Sequence, residues 1–252
     1  GIPIQHVKTL AKFRSRYNHI RVLEVSRAAD HALAGSRVLL LDSPGNIHSI
    51  SYRFKSLTDS YYDVFATLPP ILPPGPIAIL GFGAGSAARI ILEFYSDAVV
   101  HGWEIDPSVL SVAREYFGLR EMERKYGGRL LVHGGDALKS GARDGFAGML
   151  IDLFAAGRVI PELQDAATWR KLRKSLRRGG RMMANVGGGC ETLRAMSEAF
   201  PGEISVLSMS DRKDDSAVAL AGELPEIGRW KKALRGPLKF YADLWKPYQN
   251  QS

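Results

Sequence analysis

The chain has 252 residues, 45% of them hydrophobic, and its 34 Lys and Arg against 26 Asp and Glu give a formal net charge of +8. Such a chain can bury the core of one large domain with a small appendage, which excludes a disordered or collagen-like polymer. The single cysteine, Cys190, excludes an internal disulfide framework and a cysteine metal cluster, and the apolar runs fall short of the roughly 20 residues that a membrane helix needs.

The expectation is a soluble, intracellular protein without membrane contact and without a metal. The chain begins at Gly1, so its compartment and a removed targeting peptide stay open. Excess positive charge favours acidic partners such as nucleic acid, anionic lipid or a phosphorylated ligand.

Taken in chain order, residues 21–25, 37–42 and 47–52 are β-rich runs separated by Gly, Ser, Pro and Asn, and they predict hairpins in a small antiparallel unit. Residues 58–68 predict a helix capped by Thr58 or Asp59 and stopped by Pro69-Pro70. From Ile77 onward strands and helices alternate: strand 77–80, helix 86–95, strand 99–105, helix 107–117, strands 129–133 and 149–153, helix 161–178 and strand 181–185. That alternation predicts a parallel sheet covered by helices on both faces.

Beyond Cys190 a helix reaches Phe200, and 204–209 with 216–221 predict an antiparallel pair around Asp211-Arg212-Lys213-Asp214-Asp215. Trp230, Phe240, Tyr241, Trp245 and Tyr248 predict a docked tail. Seven of the twelve residues from Arg170 to Arg181 are basic, while Trp169, Leu172 and Leu176 recur at helical spacing. The first reading is a solvated helix face with an inward apolar stripe, and the second is a nucleic-acid or phosphate contact.

The chemistry concentrates at Ile77-Ala78-Ile79-Leu80-Gly81-Phe82-Gly83-Ala84-Gly85-Ser86. An apolar strand breaks into three alternating glycines and then enters a helix, a geometry that lets a ligand approach the backbone beneath free helix N–H groups. Glu104, nineteen residues after Gly85, stands where a carboxylate accepts from both hydroxyls of a ribose. Asp136, after the third strand, is read either as an acceptor for the exocyclic amine of adenine or as a helix cap. Asp152 ends the fourth strand in the apolar run Met149-Leu150-Ile151-Asp152-Leu153, where an unpaired carboxylate is costly. Three acids at successive strand ends, behind a loop that roughly a third of the chain precedes, fit a methionine-derived adenosine better than a dinucleotide.

These residues resemble the spermidine synthase family, the aminopropyltransferases built on the class I methyltransferase fold. The resemblance runs from about Tyr17 to Asn185. Tyr17-Asn18-His19-Ile20-Arg21-Val22 is similar to the family's Tyr-Gln-x-Ile-x-Val, and Leu39-Leu40-Leu41-Asp42 to its strand ending in Leu-Asp-Gly. Tyr61-Tyr62-Asp63-Val64-Phe65-Ala66-Thr67-Leu68-Pro69 is similar to its Tyr-(His/Gln)-Glu-Met-x-x-x-Leu-Pro helix. The glycine loop, Glu104-Ile105-Asp106, Gly135-Asp136 and Asp152 complete the series in order.

The resemblance implies an α/β, Rossmann-like, mostly parallel sheet with a small N-terminal antiparallel β unit. It divides the chain into a β-hairpin unit over 1–56 and a nucleoside-binding unit over 57–252, and it implies a homodimer. Gly81, Gly83, Gly85, Glu104, Ile105, Asp136 and Ala137 would hold S-adenosylmethionine or its decarboxylated form as co-substrate. Asp152 would accept a proton from, or orient, the nucleophile of a small acceptor. Tyr61 would help place that acceptor, its other reading being a core-facing aromatic.

Two departures bear on the reaction. The family's loop, Gly-Gly-Gly-Asp-Gly-Gly, has an acid for the amine of the decarboxylated donor where this chain has Ala84, and its Asp-Ser-Ser-Asp becomes Asp152-Leu153-Phe154-Ala155. A diamine needs carboxylates at both ends to offset desolvation, and losing one buried partner costs ~3–5 kcal/mol. The expectation is therefore a methyl or aminopropyl transferase with a degraded putrescine site. The alternatives are a non-catalytic nucleoside-binding relative and an RNA-directed methyltransferase.

Overall fold

The first fifty residues form a four-stranded antiparallel sheet in the order β1 (Val7–Arg14), β2 (His19–Val25), β3 (Ser36–Leu40), β4 (Ile47–Tyr52). The computed structural model describes residues 1–209 and 216–250. Strands β2 to β4 fall on the runs expected from sequence. Strand β1 does not, because its residues lack a regular polar–apolar alternation; pairing with β2, from Val7 opposite Val25 to Arg14 opposite His19, makes it a strand.

The helix expected over 58–68 is shorter. Helix α1 spans Tyr61–Phe65, and its cap is Ser60, which accepts from the Tyr62 N–H, in place of Thr58 or Asp59. The cause is Asp63: its buried carboxylate accepts from the N–H and hydroxyl of Thr58 at 2.9 Å and from the N–H of Asp59 at 2.8 Å. Those bonds fold 58–59 back over the helix as a turn, with Asp59 at φ +56°. Asp63→Ala strands the three donors and is expected to lower stability by about 2–4 kcal/mol in chemical denaturation.

Beyond the proline connector the chain builds an eight-stranded sheet. Its elements are β5 (Ile77–Leu80), α2 (Ser86–Phe94), β6 (Val100–Glu104), α3 (Pro107–Tyr116), α4 (Leu119–Tyr126), β7 (Leu130–Gly134) and β8 (Phe146–Ile151). A small hairpin of β9 (Phe154–Ala155) and β10 (Arg158–Val159) follows, then α5 (Ala166–Lys174), β11 (Leu176–Gly187), α6 (Glu191–Ala199), β12 (Ile204–Ser208), β13 (Ala217–Ala221), α7 (Ile227–Ala233) and β14 (Lys246–Pro247). The order is β14-β12-β13-β11-β8-β5-β6-β7. Strands β7, β6, β5, β8 and β11 run parallel and the other three antiparallel. Central β5 and β8 are buried at every residue, as their unbroken apolar sequences require of strands covered on both faces. Among the described residues no helix is long and apolar enough to cross a membrane.

The helix expected over 161–178 is three things: a 3-10 turn at Pro161–Gln164, helix α5 capped by Asp165, and the start of β11. Trp169 and Leu172 are the inward stripe, but Leu176 pairs with Phe146 as a strand residue. The basic run is therefore divided between helix and strand, and much of it is committed. Arg173 donates to the Ala199 carbonyl at 2.6 Å, Arg177 to Gly145 and Pro74 at 3.0 and 2.9 Å, and Arg181 to Glu223 at 2.8 Å and to Ile71.

The expected antiparallel pair is β12 with β13, while Asp211 to Asp215 lie outside the described residues. The tail is docked: Trp230 and Trp245 are buried with ring centroids 5.9 Å apart, and Trp230 Nε1 donates to the Thr67 carbonyl at 2.8 Å. Phe240 stays exposed.

Polar ties join the two sheets. Asn18 Nδ2 donates to Asp106 Oδ2 at 2.7 Å, beside a bond from Ser15 Oγ, and Ser86 Oγ bridges the N–H and C=O of Ile50 at 2.9 and 3.0 Å. The small sheet is thereby held over the start of α2 and α3, above the carboxyl ends of β5, β6 and β8.

Candidate active site

In an open α/β sheet the ligand crevice lies where the strand order reverses, and here the chain leaves β5 for β6 and β7 on one side and returns to β8 on the other. The loop Gly81 to Gly85 and the residue Asp152 stand at that point. Gly81, Gly83 and Gly85 have φ of +84°, +57° and +86°, a region open to glycine at little cost. The N–H groups of Gly81 and Phe82 both donate to the Trp103 carbonyl, at 3.1 and 2.9 Å, which curls the loop toward β6. Phe82 stands where the resembled family has a glycine. Its buried ring occupies the space that a side chain at Gly102 would fill.

Glu104 is buried at the end of β6. Its Oε1 accepts from Gly83 N at 2.9 Å and its Oε2 from Asp106 N at 3.1 Å. Burial raises its pKa, and the N–H donors of Asp106 and Gly83 oppose that rise. A carboxylate has about four acceptor sites, more than these backbone donors use, so it can still accept from a ribose. Ile105 beside it is exposed. Asp136 is exposed on the turn after β7, next to buried Ala137, and its Oδ1 caps a 3-10 turn by accepting from Leu138 N at 3.0 Å.

Tyr61 has features of both readings: its ring packs against the core, while its hydroxyl donates to Asp152 Oδ2 at 2.6 Å and lies 2.8 Å from the hydroxyl of Tyr62. Desolvation lifts the Asp152 carboxyl from the ordinary 3.8 to about 6, although the Tyr61 hydrogen bond and the neighbouring His48 oppose the rise. Burial and then the adjacent Asp152 raise both tyrosines well above 10, so they stay neutral donors. Asp152 is thus poised to change protonation near neutrality, the property wanted in a proton acceptor. Removing the Tyr61 hydroxyl removes a bond that lowers this pKa. Tyr61→Phe is expected to move the acidic limb of the pH–rate profile to higher pH, and an unmoved limb would show that Asp152 does not titrate in the reaction.

The glycine loop and Asp152 are in contact, since a Cβ at Gly81 would overlap the Asp152 carbonyl. Ala84, where the resembled family has an acid, is buried, and its N–H donates to Ser49 Oγ at 2.9 Å. Ala155, the other missing acid, is exposed in β9. Two residues that have no role in the sequence reading, Asp42 of the Leu39-Leu40-Leu41-Asp42 motif and His48, also meet beside Phe154. His48 Nε2 lies 3.0 Å from Asp42 Oδ2, and its ring meets Phe154 edge-on at 6.5 Å. No spacing rule finds them, because Asp42 and His48 meet only when the loop between β3 and β4 closes.

Comparison with known proteins follows the same lines. No family model matches the chain. Over 173 residues, 68% of its length, it is 25% identical to a probable polyamine aminopropyl transferase of Bifidobacterium longum. Over 168 residues, 64% of its length, it is 27% identical to a polyamine aminopropyltransferase of Chromobacterium violaceum. The matches span 36% and 62% of those proteins.

Among solved structures, a probable spermidine synthase from Corynebacterium glutamicum superposes with a TM-score of 0.68 over 96% of both chains at 16% identity. A spermidine synthase in complex with the transition state analogue AdoDATO does so with a TM-score of 0.63, over 86% of this chain and 72% of that one, also at 16% identity. The α/β architecture with its largely parallel sheet is the one these structures share.

Proposed function

We propose that this chain, similar in sequence to polyamine aminopropyltransferases and sharing the fold of spermidine synthases, is a transferase that takes S-adenosylmethionine or its decarboxylated form at the glycine loop. It passes a methyl or aminopropyl group to a small acceptor held at Asp152. In this reading residues 57–252 bind the nucleoside and residues 1–56 supply the lid. The observation that carries the proposal is the 2.6 Å bond from Tyr61 to Asp152, at a strand end in contact with the glycine loop.

The reaction is an in-line displacement. The acceptor's lone pair forms a bond to the carbon attached to sulfonium, and the carbon–sulfur bond breaks with its electron pair going to sulfur. The acceptor's proton passes to Asp152. Most of the acceleration comes from holding the two reactants in line, with proton transfer adding to it. Loss of acids at Ala84 and Ala155 removes one partner for the donor's amine and one for a diamine, which supports a reduced putrescine site. Glu104 holds the ribose against the glycine loop, Ile105 and Ala137 flank the base, and Asp136 takes its amine.

The test is to incubate the purified chain with each donor and a panel of amines. Release of methylthioadenosine reports aminopropyl transfer, and release of S-adenosylhomocysteine reports methyl transfer. Binding of the nucleoside with neither product would overturn the transferase reading in favour of a non-catalytic binding protein.

A further inference from the structure

The acceptor site holds one feature that the proposed reaction does not require, the pair His48 and Asp42. Strand β4 carries a bulge here: Leu39 of β3 opposes Ser49 and Leu40 opposes Ile47, so His48 is the extra residue with no partner across the ladder. A bulge re-aims a side chain, and such irregularities recur beside active sites. The re-aimed imidazole turns its Nε2 to Asp42 Oδ2 at 3.0 Å. Its ring lies edge-on to Phe154 at 6.5 Å, two residues beyond Asp152.

Asp42 fixes the imidazole from behind. Its Oδ1 accepts from the N–H groups of Gly45 and Asn46 at 2.9 and 3.1 Å, and its Oδ2 from Asn46 Nδ2 and His48 Nε2 at 3.1 and 3.0 Å. Burial raises the Asp42 pKa, but these bonds, led by that from His48, more than offset it and leave the carboxyl lowered. Asp42 is therefore an anion, and Nε2 is the donor of the pair. The hairpin closes over both: a Cβ at Gly157 would stand 3.3 Å from Asp42 Oδ2 and 2.8 Å from Asn46 Nδ2, so the turn between β9 and β10 sits directly on them.

We propose that His48 sets the acceptor class, by masking Asp42 so that the site offers one free carboxylate and takes a primary amine with a single charged nitrogen on an apolar body. The proposal rests on the acceptor site argued above. Beside Asp152 stand Tyr61, whose hydroxyl donates to it, and the flanking Leu153 and Phe154, an apolar setting that suits one cation on a hydrocarbon. A second ammonium meets the imidazole, which in its protonated form repels it, because Ala155 supplies no carboxylate. Release of Asp42 would restore the missing charge.

The test titrates butylamine and 1,4-diaminobutane into the protein by calorimetry, with and without saturating methylthioadenosine. Wild type is expected to bind the diamine no better than the monoamine. His48→Gln, which keeps a donor for Asp42 but loses the positive charge, is expected to raise the diamine-to-monoamine affinity ratio about tenfold. Adding Asp42→Asn to His48→Gln should cancel that gain, which a merely structural role for His48 would not produce, and melting curves confirm that each variant is folded. An unchanged ratio in His48→Gln overturns the role of His48, and a wild type that prefers the diamine or binds neither amine overturns the acceptor class. Failure of methylthioadenosine to bind, by contrast, contradicts the glycine-loop reading and leaves the amine ratios to be judged by themselves.

Discussion

Asp152→Asn is expected to lower the transfer rate at least a hundredfold at neutral pH and, at the same time, to make the protein more stable. The rate loss follows from removing the proton acceptor, whose contribution is typically 10²–10⁴-fold. The stability gain follows from desolvation, which lifts the Asp152 pKa from 3.8 to about 6. A carboxyl whose folded pKa is raised favours the folded state while protonated. Its contribution is complete below pH 3.8 and is lost as pH rises through about 6, and that separation corresponds to ~3 kcal/mol, less where solvent reaches the partly buried group. Asparagine keeps an acceptor for the Tyr61 hydroxyl and has no charge to desolvate. The variant and wild type should therefore melt together near pH 4 and separate by about 1–3 kcal/mol above pH 7, with the variant higher. Equal stability across that range would show that the ionised carboxylate is well solvated, and with it the poised base would be lost.

Gly81→Ala is expected to cost more than any other single methyl group in the chain. The residue sits at φ +84°, and its Cβ would overlap the carbonyl oxygen and approach the carbonyl carbon of Asp152 at 2.9 Å and Leu153 Cδ2 at 3.2 Å. The colliding atoms are backbone at the end of a central, fully buried strand, so no side chain can swing away. Strain and overpacking each cost roughly 1–3 kcal/mol, giving an expected loss of about 3–5 kcal/mol in denaturant unfolding. Any folded fraction should also bind nucleoside poorly, because relief of the clash must separate the donor loop from Asp152. Near wild-type stability would mean that the loop and the strand end do not touch.

Much of the large sheet was legible in the sequence because its signals are local. The apolar run Ile77–Leu80, the three glycines and Pro107 at a helix start mark elements through short-range constraints, and the observed bounds of β5 match those expected from the sequence. What was not legible depends on contacts distant in the chain. The stripe Trp169, Leu172, Leu176 fits a helix, yet pairing with Phe146 draws Leu176 into a strand. Asp63, seen in the sequence only as a mild replacement of glutamate, decides where α1 begins by gathering three donors.

The site divides in the same way. Glu104 and Asp152 could be placed from sequence because strand ends are readable, whereas the polar partner of the Tyr61 hydroxyl lies ninety-one positions away and is seen only in the fold. His48 carried no signal at all, since a bulge is defined by the opposing strand. The basic run 170–181 was a charge pattern whose meaning changed once Arg173, Arg177 and Arg181 were seen to serve backbone carbonyls.

The central claim is that the glycine loop and Glu104 hold a methionine-derived adenosine. Titration calorimetry of S-adenosylmethionine and of its decarboxylated form into wild type and Glu104→Gln tests it most directly. Saturable binding of at least one donor is expected, weakened about tenfold or more in the variant because a neutral amide accepts less strongly from the ribose and has one acceptor oxygen in place of two. Preference for the intact donor would assign methyl transfer, and preference for the decarboxylated donor aminopropyl transfer. Absence of binding by both, or equal binding by wild type and Glu104→Gln, would contradict the account.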